Sequence, residues 1–404
     1  MNTKYVMNNQ AKKFSLGLMG MGLLLIILHV FTSDDGEHHY ARLWSNVLLN
    51  GSWFTGICIA GVFFVAVHNI AMSAWQTVIK RIPEIFYSFL PYSMGLLGLV
   101  FLFGYDIYHW SHAEVGHYTE GLEGDFDHLI SQKAGYLDIE FTLVRLVVYL
   151  LGWMGLSYLI HKNSLNEDMH GGTKWYKKSI VISAIYVVFF AITVSTSSWD
   201  WLMSVDPHWF STLYGWYVFT TYFVSAFAVI ILFVIYLKRQ GYLEYVNESH
   251  MHDLGKYLFA FSMLWMYMWF CQFMLIWYGN IPEETLYFLT RFQNYPLLMG
   301  FMLFLNFLCP FLILMTRDSK RNQYVLILMA GTTLLGHWLD MFLLIFPSVF
   351  ESHGHALHGF SFAEIGVFIL LAGAFIFVIL RKLGEAPLLP ENHPYLKESI
   401  HHEC

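Results

Sequence analysis

Charged residues and cysteines are both scarce in this 404-residue sequence. Only 13% of the residues are Asp, Glu, Lys or Arg, roughly half the fraction usual in a soluble domain, so water is not the main solvent of the chain. The four cysteines, Cys58, Cys271, Cys309 and Cys404, form no C-x-x-C or C-x-x-C-H pattern. Iron–sulfur ligation and covalent haem attachment are therefore disfavoured. The net charge of −7 comes from unevenly placed groups and gives no support to nucleic-acid binding.

Long apolar stretches and aromatic rings take the place of charge. Hydrophobic residues make up 57% of the chain and aromatic residues 19%, and Trp and Tyr rings favour membrane–water interfaces. A spanning helix needs about 20 mostly apolar residues, and ten stretches meet that criterion. They lie near 14–31, 51–73, 84–105, 137–161, 177–198, 211–237, 256–279, 291–316, 323–346 and 361–382. They are too long and lack the alternation of barrel strands, which predicts an all-α integral membrane protein with about ten transmembrane helices.

The first apolar stretch, 14–31, follows Lys4, Lys12 and Lys13 and so begins like a signal peptide. No small-x-small cleavage site comes after it, only the sequence TSDD. We therefore predict that the first helix is retained.

Basic residues are distributed unevenly over the connections between these stretches. Eighteen of the 22 fall at the two ends or in alternate connections. They are Lys4, Lys12, Lys13, Lys80, Arg81, Lys162, Lys174, Lys177, Lys178, Lys238, Arg239, Lys256, Arg317, Lys320, Arg321, Arg381, Lys382 and Lys397. The other connections hold only Arg42 and Lys133. Because cytoplasmic loops carry the excess of Lys and Arg, we predict an even number of spans with both termini in the cytoplasm.

The predicted outer connections are acidic and rich in histidine, as at 34–39 and 351–358. Both a solvated surface and a docking surface for extracytoplasmic partners fit this composition. His353, His355 and His358 could bind a metal ion, but they lack cysteine and a nearby carboxylate triad. Loop histidines without a metal role are therefore favoured.

Ionisable groups inside predicted spans are functional candidates, because burying them in lipid costs several kcal/mol unless they are paired or hydrated. His337 and Asp340 are three residues apart on one helix face, so a proton could pass between them directly or through water. A packed pair that only ties helices together is the alternative. Asp138, Glu140 and Arg145 lie within two turns of the fourth stretch and could form a structural ion pair, a proton exit or a quinol-headgroup site.

Other polar residues in the spans are more ordinary candidates for helix–helix hydrogen bonds. They are His29, His68, Gln272, Asn306 and Glu364. We expect Arg291 to snorkel outward from the start of the eighth stretch.

The distribution of histidine over the spans disfavours haem binding. Transmembrane b-type haem needs paired histidines at matching depths, whereas His29, His68, His161 and His337 occur one to a helix. A haem–copper core needs an adjacent intramembrane pair, and the adjacent pairs here lie outside the helices.

Four segments carry a resemblance to a known family. The outer segment 197–217 reads SSWDWLMSVDPHWFSTLYGWY, and the likeness continues through HDLGK at 252–256, FMLIWYGNIPEE at 273–284 and GHWLD at 336–340. These segments resemble a membrane subunit of alternative complex III, a bacterial quinol:electron-acceptor oxidoreductase. The likeness is close over the second half of the chain, whereas the first half agrees mainly in helix count and orientation.

The resemblance implies an architecture. The two large membrane subunits of the family are relatives of the NrfD polysulfide-reductase type, each with ten helices that include two four-helix bundles. On this basis the chain divides into an N-terminal arm with the first helix and outer loop (1–50), a first bundle (51–198), a second bundle (199–346), and an outer loop with the tenth helix and tail (347–404).

The resemblance also implies partners and cofactors. One membrane subunit lies under the iron–sulfur protein and is the better candidate for quinol oxidation. This chain resembles the other, the ActF type, which carries no redox cofactor and is suspected of conducting protons. The expected partners are a homologous ten-helix quinol-site subunit, multihaem cytochrome c subunits, an iron–sulfur protein and lipids, with a haem–copper oxidase as a further candidate. Haem c and iron–sulfur clusters would lie in the partners, in the bacterial inner membrane, and quinol is the substrate of the complex.

Seven residues are candidate members of a proton path on this resemblance. Matched motifs support His337, Asp340, Asp253 and Lys256, whereas chemistry alone supports Glu140, Arg145 and His68. The expected function is a cofactor-free subunit that acts as scaffold and proton path and is not catalytic alone. A second quinol-binding subunit, with His68 or Glu140 taking a proton, and a secondary transporter are the alternatives.

Overall fold

The computed structural model describes residues 4–32, 39–111, 127–352 and 359–403. Within these ranges the chain is helical without β-strands, and ten helices are long and apolar enough to cross a membrane, which confirms the predicted all-α membrane fold. The main helices of these spans are α1 (Asn9–Thr32), α2 (His39–Ile70), α3 (Leu90–Phe103), α4 (Ile139–His170), α5 (Lys174–Trp201), α6 (Tyr214–Arg239), α7 (Glu248–Gly279), α8 (Pro296–Ile313), α9 (Gln323–Ser352) and α10 (Phe362–Leu383). The third span runs over Arg81–Phe103 and includes two short helices before α3.

Short helices connect these spans. They are Trp75–Val78, Arg81–Glu84 and Phe86–Phe89 before α3, Tyr105–Ile107 and His109–Ser111 after it, His128–Lys133 before α4, Met203–Val205 after α5, Pro282–Asn294 between α7 and α8, Arg317–Arg321 after α8, and Leu396–Ile400 in the C-terminal tail. We call the amphipathic helix Pro282–Asn294 the interfacial helix. The span α8 is not a uniform helix, because a π-helical turn interrupts it at Phe304–Leu308.

Three helices, α2, α6 and α9, occupy the centre, and 83% of the apolar window of each is buried. Around α2 pack α3 and α5, and α4 lies against α5 and α3. Around α6 pack α7 and α9, and α8 lies against α9 and α7. We call α2–α5 the first group and α6–α9 the second group; α2 packs on α6 where the groups meet, and α10 packs on α2. The outer helices keep one exposed apolar face, as expected of helices that meet lipid.

The first helix, α1, packs mainly on α10 through small residues. Ser15 and Gly22 of α1 face Gly366 and Gly373 of α10. A Cβ on Gly22 would lie 2.5 Å from the backbone nitrogen of Leu370 and 2.7 Å from the carbonyl oxygen of Gly366. Without a hydrophobic driving force between helices in lipid, such close backbone approach supplies the packing energy.

Both ends of the described chain lie on one side of the bundle. Lys4 forms an isolated antiparallel bridge with Pro387, and the tail then contacts the end of α4, the short helix that follows α2 and the first turns of α7. We call this side the terminal face and the opposite side the distal face. An even number of spans requires this arrangement.

The helix α2 begins at His39, well before the predicted start at 51, because its polar residues are satisfied inside the protein. Arg42 pairs with Glu364 of α10 at 2.8 Å, and Asn46 also donates to that carboxylate. Asn50 accepts a hydrogen bond from Trp338 of α9 at 3.1 Å. An apolarity criterion alone cannot detect a helix extended by such pairs.

Candidate functional site

Asp340 is a carboxylate buried inside the second group of helices. Its side chain is 1% exposed and accepts hydrogen bonds from three neutral donors on two neighbouring helices. The hydroxyl of Tyr217 donates to Oδ1, the hydroxyl of Thr221 donates to Oδ2 at 2.8 Å, and the indole nitrogen of Trp265 donates to Oδ2 at 3.1 Å. Because α6 and α7 supply all three donors, folding of these two helices onto α9 creates the site.

His337 lies one turn from Asp340 but is not hydrogen-bonded to it. The nearest nitrogen and oxygen are 4.0 Å apart, which is too long for a hydrogen bond. Both ring nitrogens of the buried His337, and both polar side-chain atoms of Asn306, lack a partner among the described residues. Asn306 sits in the π-helical turn of α8 and presses against Gly336. Buried polar atoms are normally satisfied by protein or water, so a proton passing between His337 and Asp340 would need a bridging molecule.

A small cavity of about 20 Å³ touches this carboxylate. Asp340, Tyr217, Gln272 and Arg291 supply polar lining, and apolar side chains supply the rest. A volume of about 10–15 Å³ on this measure suffices for one water, provided polar partners are present. The cavity therefore has the size and polarity to hold a single water beside Asp340.

Arg291 does not snorkel outward, and that prediction is wrong. It lies on the interfacial helix, is 3% exposed, and donates from Nε to the carbonyl oxygen of Leu343 at 2.9 Å and from a terminal nitrogen to Ser348 at 3.0 Å. Pro347 lies inside α9 and has no N–H to bond the carbonyl four residues earlier. Arg291 is buried because it satisfies the carbonyl of Leu343 that Pro347 leaves free.

At the distal end of the first group, Arg145 pairs with a carboxylate other than the expected ones. Its Nε lies 2.8 Å from Oδ2 of Asp200 on α5, which also accepts from Tyr149 at 3.0 Å. Asp138 instead caps the N-terminus of α4, and Glu140 is exposed. The structure therefore brings Arg145 to α5 and leaves Glu140 outside the polar cluster.

His68 is held by neighbouring groups on the terminal face side of α2. Its Nδ1 lies 2.8 Å from the carbonyl oxygen of Phe64, and Nε2 lies 3.1 Å from the hydroxyl of Tyr257 on α7. One turn before Tyr257 on α7, Asp253 contacts Lys256 at 2.5 Å and His402 of the tail at 2.7 Å. The α7 partner of His68, Tyr257, thus lies one turn from Asp253, and none of these residues contacts Asp340 in the described structure.

The largest set of buried charges was not predicted from the sequence. We call it the terminal-face cluster, and its members are Lys80, Arg81, Glu84, His161, Glu167, Asp168 and His393. Lys80 lies 3.7 Å from Glu84 and 3.9 Å from Glu167, while Arg81 lies 3.6 Å from Glu84 and contacts Asp168 directly. The ring of His161 is 3.4 Å from Glu84. In the sequence, Lys80 and Arg81 indicate only which side of the membrane their connection occupies. Their i, i+4 and i, i+3 spacing to Glu84 is the one local sign of a charged cluster.

The terminal-face cluster is incompletely satisfied by the described residues. Glu84 is 0% exposed, and one oxygen each of Glu84, Glu167 and Asp168 lacks a hydrogen-bond partner there, as does Nε of Arg81. Three carboxylates against two permanent cations leave an excess negative charge in a buried region. Such a site favours bound water or a bound proton over a dry ion-pair network.

The C-terminal tail completes the terminal-face cluster. His393 is 4% exposed and packs edge-on against Tyr176. Burial, and then the positive charge of Lys80, lower the pKa of His393 to about 2. The imidazole is therefore neutral at physiological pH, and it closes the cluster without adding charge.

The remaining candidates are placed as follows. Gln272 lines the small cavity beside Asp340, Glu364 pairs with Arg42, and His29 is buried on α1. His353, His355 and His358 lie outside the described residues. Among the residues that are described, no three His, Cys, Asp or Glu side chains are grouped to hold a metal ion.

Comparison with known protein families and with curated proteins finds no match to this chain.

Proposed function

We propose that this chain is a cofactor-free membrane subunit of a quinol-oxidising alternative complex III, serving as scaffold and proton path. The observation that carries the proton role is Asp340, a carboxylate inside a spanning helix held only by neutral donors. Among the described residues, no Lys or Arg forms an ion pair with Asp340, and its carboxylate lines the small cavity. A water in the small cavity beside Asp340 and the ring nitrogens of His337, which lack a partner among the described residues, would provide the next positions for the proton.

The terminal-face cluster extends this proposal to the side where the chain ends meet. Its uneven charge and unsatisfied oxygens suit proton uptake on the predicted cytoplasmic side. On the distal face, Asp200 with Arg145 and Tyr149 provides a polar site near the predicted exit. The path would thus begin on the terminal face and end on the distal face.

The proposed setting is a hetero-oligomeric complex in the bacterial inner membrane. A homologous ten-helix subunit would oxidise quinol, and multihaem cytochrome c and iron–sulfur subunits would carry haem c and clusters. Support comes from the four resembling segments and from the long exposed apolar faces of α4, α5 and α7, which offer membrane-buried contact area. Both termini would be cytoplasmic.

A quinol site within this chain has less support from the candidate residues. Both ring nitrogens of His68 are engaged, and Glu140 is exposed on the outside of α4. Neither side chain lines the small cavity beside Asp340. We therefore assign quinol oxidation to the homologous partner.

The proton role is tested by Asp340→Asn in the assembled complex in proteoliposomes. We expect quinol-driven membrane potential to fall at least tenfold while the subunits still co-purify, because an amide cannot carry the proton. Asp318→Asn changes an exposed residue of the Arg317–Arg321 helix and serves as the matched control. Unchanged potential in Asp340→Asn would leave Asp340 and His337 as packing residues.

Membership of the complex is tested separately by mild-detergent purification through this chain. A multihaem cytochrome and an iron–sulfur protein should appear in the same particle. Their absence would refute membership of the complex, whereas Asp340→Asn tests the proton role separately.

One observation favours the competing transporter function. The π-helical turn of α8 breaks the regular helix at Asn306, and interrupted spans are typical of transporter binding sites. Purified chain alone in liposomes distinguishes the two: substrate-coupled ion uptake without quinol would support a transporter, and its absence together with quinol-dependent potential in the complex would support the subunit.

A further inference from the structure

A cavity of about 450 Å³ lies between α1, α2, α6 and α10, away from every charged site described above. Its volume falls within the range of about 300–1,000 Å³ typical of small-molecule sites. Extensive packing joins α1 to α10 but not to α6, so the space between α1 and α6 is left without a helix. A membrane protein can fill such a space only with lipid, another apolar molecule or a partner.

The lining of this cavity is apolar except at one end. Trp53, Phe54, Phe233, Phe368 and Phe375 form its walls, and the hydroxyl or amide groups come from residues at the ends of α1 and α6 nearest the terminal face. Within the described chain, no acidic, basic or histidine side chain lines it. A quinol headgroup would therefore find no group here to accept its proton.

The depth of the cavity matches one leaflet of a bilayer. On α10 the lining runs from Phe368 to Leu380, which is roughly 18 Å along a helix at 1.5 Å per residue. One leaflet of the hydrocarbon core is about 15 Å thick. The cavity thus extends from near the middle of the membrane to the terminal face, as a single extended chain from that leaflet would.

Exposed cations are next in sequence, or nearly so, to residues that line the polar end. Lys12 and Lys13 lie within the turn of α1 that lines the cavity, Arg239 precedes the lining residue Gln240, and Arg381 follows the lining residue Leu380. The helix α1 contains no acidic residue. Basic residues near the membrane surface attract anionic lipid headgroups.

We propose that the cavity is a binding site for an anionic phospholipid of the leaflet on the terminal face. One acyl chain lies along the aromatic wall between α1 and α6, and the phosphate group meets Lys12, Lys13 and Arg239. The lipid fills the gap that α1 leaves, and so fixes α1 and α10 against α2 and α6. The site is independent of the proposed proton path.

The test measures retained lipid by native mass spectrometry after delipidation of the full chain and its reconstitution in nanodiscs. Nanodiscs contain phosphatidylcholine with or without phosphatidylglycerol. We expect one phosphatidylglycerol to be retained per chain in preference to phosphatidylcholine by at least tenfold. Retention of a quinone instead, or equal retention of the neutral lipid, would overturn the proposal.

Two variant pairs locate the site. Ala372→Trp places an indole in the cavity and should abolish retention, whereas Ala191→Trp on the exposed face of α5 should not. The exposed triple change Lys12→Gln, Lys13→Gln and Arg239→Gln should lower phosphatidylglycerol retention at least tenfold.

The charge-matched control is Lys174→Gln, Lys177→Gln and Lys178→Gln, which changes three exposed lysines of α5 and should leave retention unchanged. All six residues are on the surface, so this comparison survives even if Ala372→Trp fails to fold. Equal loss in both triple variants would refute a specific headgroup site.

Discussion

The hydrogen bond between Arg291 and the carbonyl oxygen of Leu343 predicts an energetic coupling between Arg291 and Pro347. Pro347 removes the helical N–H that would bond Leu343, and Arg291 replaces that donor at 2.9 Å. In Arg291→Met the carbonyl of Leu343 is left buried without a partner, which costs about 1–3 kcal/mol. In the Pro347→Ala background the restored N–H takes over, so the same Arg291→Met change avoids that cost.

A double-mutant cycle therefore should give a coupling energy of about 1–2 kcal/mol between the two positions, well above the ~0.3–0.5 kcal/mol error of additivity. The assay is denaturant-induced unfolding in detergent micelles, followed by circular dichroism, for the parent chain, both single variants and the double variant. Arg291 makes its other hydrogen bonds in both backgrounds, so their loss cancels in the cycle. Additive effects would show that Arg291 does not replace the missing helical donor, and the argument for its burial would fail.

Three further predictions rest on close packing, buried charge and pH. Gly22→Leu should destabilise the chain by about 1–3 kcal/mol through a backbone clash with α10. The control Gly20→Leu should be near neutral, because a Cβ at Gly20 meets nothing within 4 Å. Equal melting temperatures of the two variants would contradict the α1–α10 packing. Glu84→Gln should cost about 1–3 kcal/mol, because it replaces a fully buried carboxylate that contacts Lys80, Arg81 and His161 by an amide that cannot satisfy these donors equally. Exposed Glu140→Gln should change stability little in the same thermal assay. The pKa of His393 is lowered to about 2, so docking of the tail is strongest above pH 6.5. The equilibrium constant for docking of the tail should fall by up to about tenfold for each pH unit below that value. Hydrogen exchange of residues 388–403 measures this pH dependence. If the same pH dependence persists in His393→Gln, another group causes it.

The spans could be predicted because bilayer thickness imposes a length and an apolarity that each segment shows by itself. The pair of His337 and Asp340 could also be found, since helical spacing places both on one face. By contrast, the partner of Arg145 could not be found locally, because Asp200 lies on another helix. Local spacing suggested Glu140 instead, which the structure leaves exposed.

The terminal-face cluster could not be predicted from the sequence, for a different physical reason. Lys80 and Arg81 fit the excess of basic residues expected in loops on one side of a membrane, and this explanation required no buried partner. Their burial follows from short helices that fold back between α2 and α3 and from the end of α4. Only tertiary packing reveals that Glu84 and Glu167 share their space.

The tail that bridges back to Lys4 has a consequence for biogenesis. Residues 388–403 leave the ribosome after all ten spans, yet they supply His393 to the terminal-face cluster and His402 to Asp253. The spans can therefore insert before their charged interior on this side is covered. A chain stalled or cleaved after α10 would keep its membrane topology while exposing this charged interior to solvent.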